Sequence, residues 1–261
     1  MAKSIRFRLP MILVGLAALV ALLPAGLCAQ QSPLPPRIDP KAQPYLERCL
    51  QALGGSAFMN FKTMTTRGRV FSVREEATTG MAPFVSYVEY PDKRRFSYGK
   101  DKPVILINNG DRAWELDRYG LTSQYPEQVE RWKVANRYSL ENLLRLRIHE
   151  PGVLIQLGGV DFVDNIPTQA LDIYETGGGH IKLELHHQKF LPIRISYRAQ
   201  NPKTGDWDDY ADEYGDYQEF EGVVTPMHIA RFMDGDRVGE TFRTSAQYNE
   251  DYPADYFNPI R

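Results

Sequence analysis

The apolar positions of this chain change period along its length, and each change predicts a different element. Met11 to Leu23 is an apolar run broken only by Gly15. Tyr45, Leu46, Cys49, Leu50 and Leu53 then recur at helical spacing, and Gly54-Gly55 supplies left-handed residues that end a helix, with Ser56 as a stop-and-start signal. From Thr63 the period becomes two. Short runs rich in Val, Ile, Tyr and Phe are separated by Asn109-Gly110, Tyr119-Gly120, Gly177-Gly178-Gly179, Thr204-Gly205 and Asp234-Gly235, the punctuation of hairpins. Ile181, Leu183 and Leu185 alternate with His180, Lys182, Glu184 and His186, and Leu191, Ile193, Ile195 and Tyr197 follow after a turn. Such alternation predicts antiparallel strands with one dry and one wet face. Tyr125 to Ile148 interrupts the strands: Val129, Trp132 and Val134 lead to Leu140, Leu143, Leu144 and Ile148, with Ser139 placed to cap the second segment and Pro151-Gly152 closing the insertion. Two helical pieces between two groups of strands are expected.

The first apolar run gains its meaning from its flanks. Lys3, Arg6 and Arg8 precede it without an acidic residue, and Pro24 to Ala29 supplies helix breakers and small residues. A spanning helix needs about 20 apolar residues, and this run is shorter. Residues 1–29 are therefore expected to be a cleavable signal peptide, cut after Ala29, which directs an exported, periplasmic protein. A cut before a lipidated Cys28 is the competing form, but Leu27 stands where a small residue is usual. Residues 30–41, with Pro33, Pro35, Pro36 and Pro40, are expected to be an extended Pro-rich linker, and 42–261 a single β domain. Without Cys28 the only thiol is Cys49, so a packed core rather than a disulfide must hold the fold. Removing residues 1–29 moves the formal charge from −2 to about −5, which disfavours nucleic acid as a partner.

Candidate chemistry is sparse. His180 and His186 share a wet strand face with Lys182 and Glu184, and no His or Cys spacing typical of zinc occurs, so no metal or cofactor is expected. Six acidic residues between Asp206 and Asp216 lack the glycine of a calcium loop, Ala211 standing at the sixth position, and are expected on the wet edge of a strand. No nucleophile elbow or phosphate loop is present, and the chain is expected not to be an enzyme. The interior remains. Phe84, Val88, Phe96, Tyr98, Ile105, Ile107, Trp114 and Leu116 load the first strands with large apolar side chains. From the residues alone they suit an ordinary β core first, and second the lining of a sheet curled around a ligand cavity, which would need the same side chains.

Two stretches favour the second option. Tyr90-Pro91-Asp92-Lys93-Arg94-Arg95-Phe96 and Asn109-Gly110-Asp111-Arg112-Ala113-Trp114, with Gly222-Val223-Val224-Thr225-Pro226, Asp234-Gly235, Tyr248 and Pro253 to Phe257 later on, resemble the lipoprotein-carrier superfamily of LolA- and LolB-like outer-membrane lipoprotein-sorting proteins. The resemblance spans roughly residues 42–258. It implies a mainly β fold with helices (α+β), an unclosed antiparallel β-barrel wrapped over short helices, around a cavity that takes acyl chains. The ligand-binding residues would be the eight above, Trp114 turned toward the cavity, together with Leu140, Leu143 and Leu144 of the helical insertion. The implied function is periplasmic binding of a hydrophobic ligand, lipid or lipoprotein acyl chains, with a role in outer-membrane lipoprotein sorting. The implied partners are a lipid or acylated protein, with transient membrane or envelope-protein contact. An envelope regulatory or scaffold domain of the same fold is the first alternative and a secreted hydrolase the second. Tyr90 stands where the best-known carrier has an Arg associated with lid closure and ligand release, so hand-over between two membranes is not implied.

Overall fold

The two-residue alternation builds one continuous sheet. A computed structural model of the protein describes residues 34–259, so the expected signal peptide and the start of the linker lie outside the described residues. In chain order the elements are β1 (Arg37–Ile38), α1 (Gln43–Ala52), α2 (Ser56–Asn60), β2 (Thr63–Arg74), β3 (Ala77–Glu89), β4 (Lys93–Tyr98), β5 (Val104–Asn109), β6 (Arg112–Asp117), β7 (Gly120–Ser123), α3 (Pro126–Arg137) and α4 (Leu140–Arg145). After a 3-10 turn at Arg147–His149 come β8 (Leu154–Val163), β9 (Ile166–Tyr174), β10 (His180–His186), β11 (Pro192–Gln200), β12 (Trp207–Gly215), β13 (Gln218–Phe220), β14 (Val223–Thr225), β15 (His228–Met233) and β16 (Asp236–Tyr248). Every hairpin dipeptide singled out in the sequence lies at a junction between strands.

Fourteen strands form a sheet in the order β1-β8-β9-β10-β11-β12-β15-β16-β2-β3-β4-β5-β6-β7. Every pairing is antiparallel except the parallel pair of β1 with β8. The sheet is unclosed, ending at β1 and β7, and β13 and β14 form a separate hairpin. Within the described part of the Pro-rich segment, Arg37–Ile38 form β1 and tie the chain to the sheet. Arg37 N–H donates to the Val153 carbonyl at 2.7 Å and Asp39 N–H to the Ile155 carbonyl at 2.8 Å.

Residues paired across strands share a face, so the register fixes what each strand presents inward. Leu157, Leu171, Leu183 and Ile195 form one inward row. Against it pack Leu46, Cys49 and Leu53 of the first helical stripe, Phe58 of α2, and Leu140, Leu143 and Leu144 of α4. The sheet thus wraps over short helices, and one half of its inward face is filled. Two glycines make the close approaches. A Cβ on Gly54, which has φ +118°, would lie 2.1 Å from the Gly222 carbonyl oxygen, where the β13–β14 hairpin bonds to Leu53. A Cβ on Gly68 would lie 1.9 Å from the Phe242 carbonyl oxygen, beside the bulge of β16.

The acidic segment departs from expectation. It forms β12, which lies between β11 and β15 rather than at an edge. Asp208 and Asp212 are buried with partners. Asp208 accepts from Asn201 Nδ2 and Tyr210 O–H, both at 3.0 Å, and Asp212 holds Arg231. Outward-facing Asp209 pairs with Arg198 at 2.9 Å, and Glu213 with Arg194 at 3.2 Å. Neighbouring cations make a charged central strand tolerable.

Candidate ligand-binding cleft

The inward row changes character beyond Ile195. Its next members are Asp212 on β12 and Arg231 on β15, and there the helical filling gives way to a cleft. A compartment of about 170 Å³ is lined from six successive strands by Asp212 and Tyr214, Ile229 and Arg231, Arg243, Met64 and Thr66, Ser86 and Val88, and Arg94. Lining by six consecutive strands means that the sheet curls around this space. Trp132, Ala135 and Asn136 of α3 and Leu140 and Glu141 of α4 close it from the other side. A second compartment, about 340 Å³, shares Thr66, Ser86, Arg94, Ile229, Arg231 and Arg243 with the first and adds Val70, Phe84 and Phe96. A third, about 220 Å³, lies between α3 and the central strands β11, β12, β15 and β16, walled mainly by Val134, Ala135, Tyr197, Tyr210, Met233 and Val238. Arg231 borders all three.

Polar contacts hold α3 across the cleft. Lys133 pairs with Asp111 of the β5–β6 hairpin at 2.8 Å, and Arg137 with Glu175 after β9 at 2.6 Å. Tyr138 O–H donates to Glu175 at 2.8 Å. The side-chain amides of Asn136 and Asn142 both donate to the Pro91 carbonyl at 2.9 Å. The Tyr90-Pro91-Asp92 stretch singled out in the sequence is therefore where the helical insertion is pinned to the β3–β4 turn. Burial pushes the Tyr90 and Tyr214 phenols, both lining the cleft, well above their usual range, so they stay protonated.

The expected site residues divide by face. Phe84 pairs with Tyr98, Ser86 with Phe96 and Val88 with Arg94, so Phe84, Val88, Phe96 and Tyr98 all point inward. Phe84 and Phe96 stack at 5.4 Å on the wall of the larger compartment, Val88 lines the smaller one, and Tyr98 lies beside Phe96 at 5.8 Å. Ile105, Ile107, Trp114 and Leu116 occupy the alternate positions and face outward. Ile107 is buried there, and the neighbouring Arg95 and Asn109 bond the carbonyls of Tyr256 and Phe257, so the C-terminal segment lies along this outer face. Trp114 faces that side, not the cleft. Of the insertion, Leu140 lines the cleft, whereas Leu143 and Leu144 are fully buried in the packed core.

Sequence reasoning passed over Thr66, Ser86, Trp132, Arg94, Arg231 and Arg243 as site residues. Counting by twos from Phe84 leads to Ser86, and from Phe96 back to Arg94, so part of the signal was present. His180 and His186, the two on one strand face, behave as surface residues. His180 bonds Asp172 at 2.9 Å and stacks on Tyr174, and His186 Nδ1 accepts from the backbone of its own turn. Among the described residues no cluster of three His, Cys, Asp or Glu side chains could hold a metal. A larger hollow of about 500 Å³ lies on the outward face of β10 to β12. Its charges are mutually paired, Lys182 with Glu184, Arg194 with Glu213 and Arg198 with Asp209, and no helix covers it.

Solved structures share this architecture. A DUF1329 family protein from Desulfovibrio piger superposes with a TM-score of 0.54 at 11% identity, covering 83% of this chain and 97% of its own. A domain assigned to outer-membrane lipoprotein sorting, from Vibrio parahaemolyticus, gives 0.50 at 8% identity over 83% and 97%. No family model and no curated protein matches the sequence. At these identities the likeness is one of fold, and it is the fold that the sequence resemblance implied. Among the described residues no helix is long and apolar enough to cross a membrane.

Proposed function

We propose that this chain, built on the fold of a lipoprotein-sorting domain, is an exported, periplasmic binding protein that holds the apolar part of a lipid or of a lipoprotein's acyl chains in the cleft beneath α3. The observation that carries this reading is the half-filled interior. The helices α1, α2 and α4 pack one half of the inward face, while the other half, under α3, is left as adjoining compartments that share Arg231. The larger inner compartment, about 340 Å³, falls within the range of small-molecule sites, which begins near 300 Å³. Shape and burial do the work of binding, at about 0.8 kcal/mol per buried CH₂, and no catalytic group is called upon. Phe84, Val88, Phe96 and Leu140 form the apolar wall, with Tyr98 beside it and Trp132 and Val134 as the cover.

An envelope regulatory or scaffold role for the same fold is favoured by one observation, the complete burial of Leu143 and Leu144 where an emptier barrel would have space. The two readings separate in a titration of residues 30–261 with a fluorescent fatty acid. Saturable binding at micromolar concentration supports the carrier reading, and a Ser86→Trp protein, with the cleft floor filled, should lose it while still melting cooperatively. Non-saturable partitioning, or equal binding by the filled variant, would overturn it.

A further inference from the structure

The cleft holds more positive charge than its own carboxylates absorb at contact. Arg94, Arg231 and Arg243 all line it. Arg231 is matched, its Nε and Nη2 donating to the two Asp212 oxygens at 2.8 Å each. Arg94 donates from Nη2 to Asn108 Oδ1 at 3.4 Å, and Arg243 from Nη1 to the Pro226 carbonyl at 3.1 Å. Both acceptors are neutral. Among the described residues neither arginine has a carboxylate in ion-pair contact, and the Nε of each is shut from solvent without a partner, as is Asn108 Nδ2 beside Arg94. Glu141 borders the smaller compartment and Glu240 the larger; Glu240 is taken by Arg237 at 2.7 Å, and neither carboxylate pairs with Arg94 or Arg243.

A guanidinium partly withdrawn from water without a counter-charge is costly, and arginine keeps its proton at neutral pH. Burial, and then the neighbouring Arg231, pulls Arg94 down to about 10, as expected of a cation short of an anion. Between Arg94 and Arg243 the small side chains of Thr66 and Ser86, flanked by Phe84 and Val88, line the floor and leave room for a compact group. Beyond Arg231 the apolar compartment under α3 opens, walled by Val134, Tyr197, Tyr210 and Met233. We propose that the cleft selects amphiphiles with an anionic head, a phosphate or carboxylate bound between Arg94 and Arg243 while the chain runs along the apolar walls. This rests on the carrier reading above and names its ligand class. The planar fork of arginine suits the paired oxygens of either anion, and such charge-assisted bonds are roughly twice as strong as neutral ones.

The test is calorimetric titration of residues 30–261 with a monoacylglycerol phosphate, the neutral monoacylglycerol of the same chain, the free fatty acid, and inorganic phosphate. The phosphate amphiphile and the fatty acid are expected to bind about tenfold or more tightly than the neutral compound. Arg94→Gln should bring that ratio close to one, and Arg243→Gln repeats the comparison independently if the first variant folds poorly. Arg198→Gln, on the outward face, should leave the ratio unchanged. Equal binding of charged and neutral amphiphiles would overturn the headgroup assignment and leave the carrier reading intact. Failure of every amphiphile to bind would remove both. Inorganic phosphate binding as tightly as the phosphate amphiphile would replace the amphiphile by a free anion. A role confined to the fold would show as a lowered melting temperature of Arg94→Gln with an unchanged ratio, and would also overturn the proposal.

Discussion

Phe96 and Leu116 are a matched pair for testing which face of the sheet binds. Both are partly buried and large, and they lie on strands separated only by β5. Phe96 points inward, stacked on Phe84 at the larger compartment, whereas Leu116 pairs with Ile105 on the outer face. A phenylalanine offers about 200 Å² of surface. If roughly a quarter of it still faces the cleft in the free protein, a bound chain covers about 50 Å², which at ~25 cal/mol per Å² is about 1.3 kcal/mol. Phe96→Ala should therefore raise the Kd of a fatty acid about tenfold. Leu116→Ala should leave it within about twofold, although both truncations cost roughly 1–3 kcal/mol of stability. Calorimetric titration gives the affinities, and thermal melts of the same samples confirm that each variant is folded at the titration temperature. Equal weakening by the two variants, or a larger effect of Leu116→Ala, would refute the assignment of the inward face as the binding face.

Three further outcomes are expected. In a Trp114→Phe, Trp207→Phe protein the remaining indole, Trp132, lines the cleft, so its emission should shift on ligand addition, while a protein retaining only Trp114 should show no shift. The Cys49 thiol is pushed up by complete burial and should resist labelling until the protein unfolds. Because the folded state keeps that proton while the unfolded thiol loses it above about pH 8.5, this group should lower stability as pH rises beyond that value, measurable by denaturant titration at pH 8 and 10. Protein isolated from the cell envelope should begin at Gln30 by N-terminal sequencing, and a diacylated Cys28 at the N-terminus would contradict the signal-peptide assignment.

The strands were legible because their periodicity and hairpin residues agree, and the insertion was legible because Ser139 caps α4, its Oγ accepting from Asn142 N–H. Which face of β5 and β6 looks inward was not legible. Ile105, Ile107, Trp114 and Leu116 are apolar on a side that faces away from the cleft, and Ile107 is buried there beside a C-terminal segment far off in sequence. Local patterning does not encode such a cover. The charged wall of the cleft was hidden for a related reason. Arg94 sits in a run of basic residues, and Arg231 and Arg243 are isolated in strands, so each reads as a solvated side chain until the curl of the sheet brings them to one space. The central position of β12 likewise depends on Arg231, Arg198 and Arg194 being supplied by neighbouring strands.

The most direct test of a ligand beneath α3 is organic extraction and mass spectrometry of the protein purified from the envelope without detergent, beside the Ser86→Trp variant prepared identically. The expected result is an acyl-chain amphiphile near one equivalent per chain in the parent protein and its loss in the filled variant. A parent protein free of lipid, or the same lipid at the same yield from both, would contradict the assignment of the cleft as a lipid site.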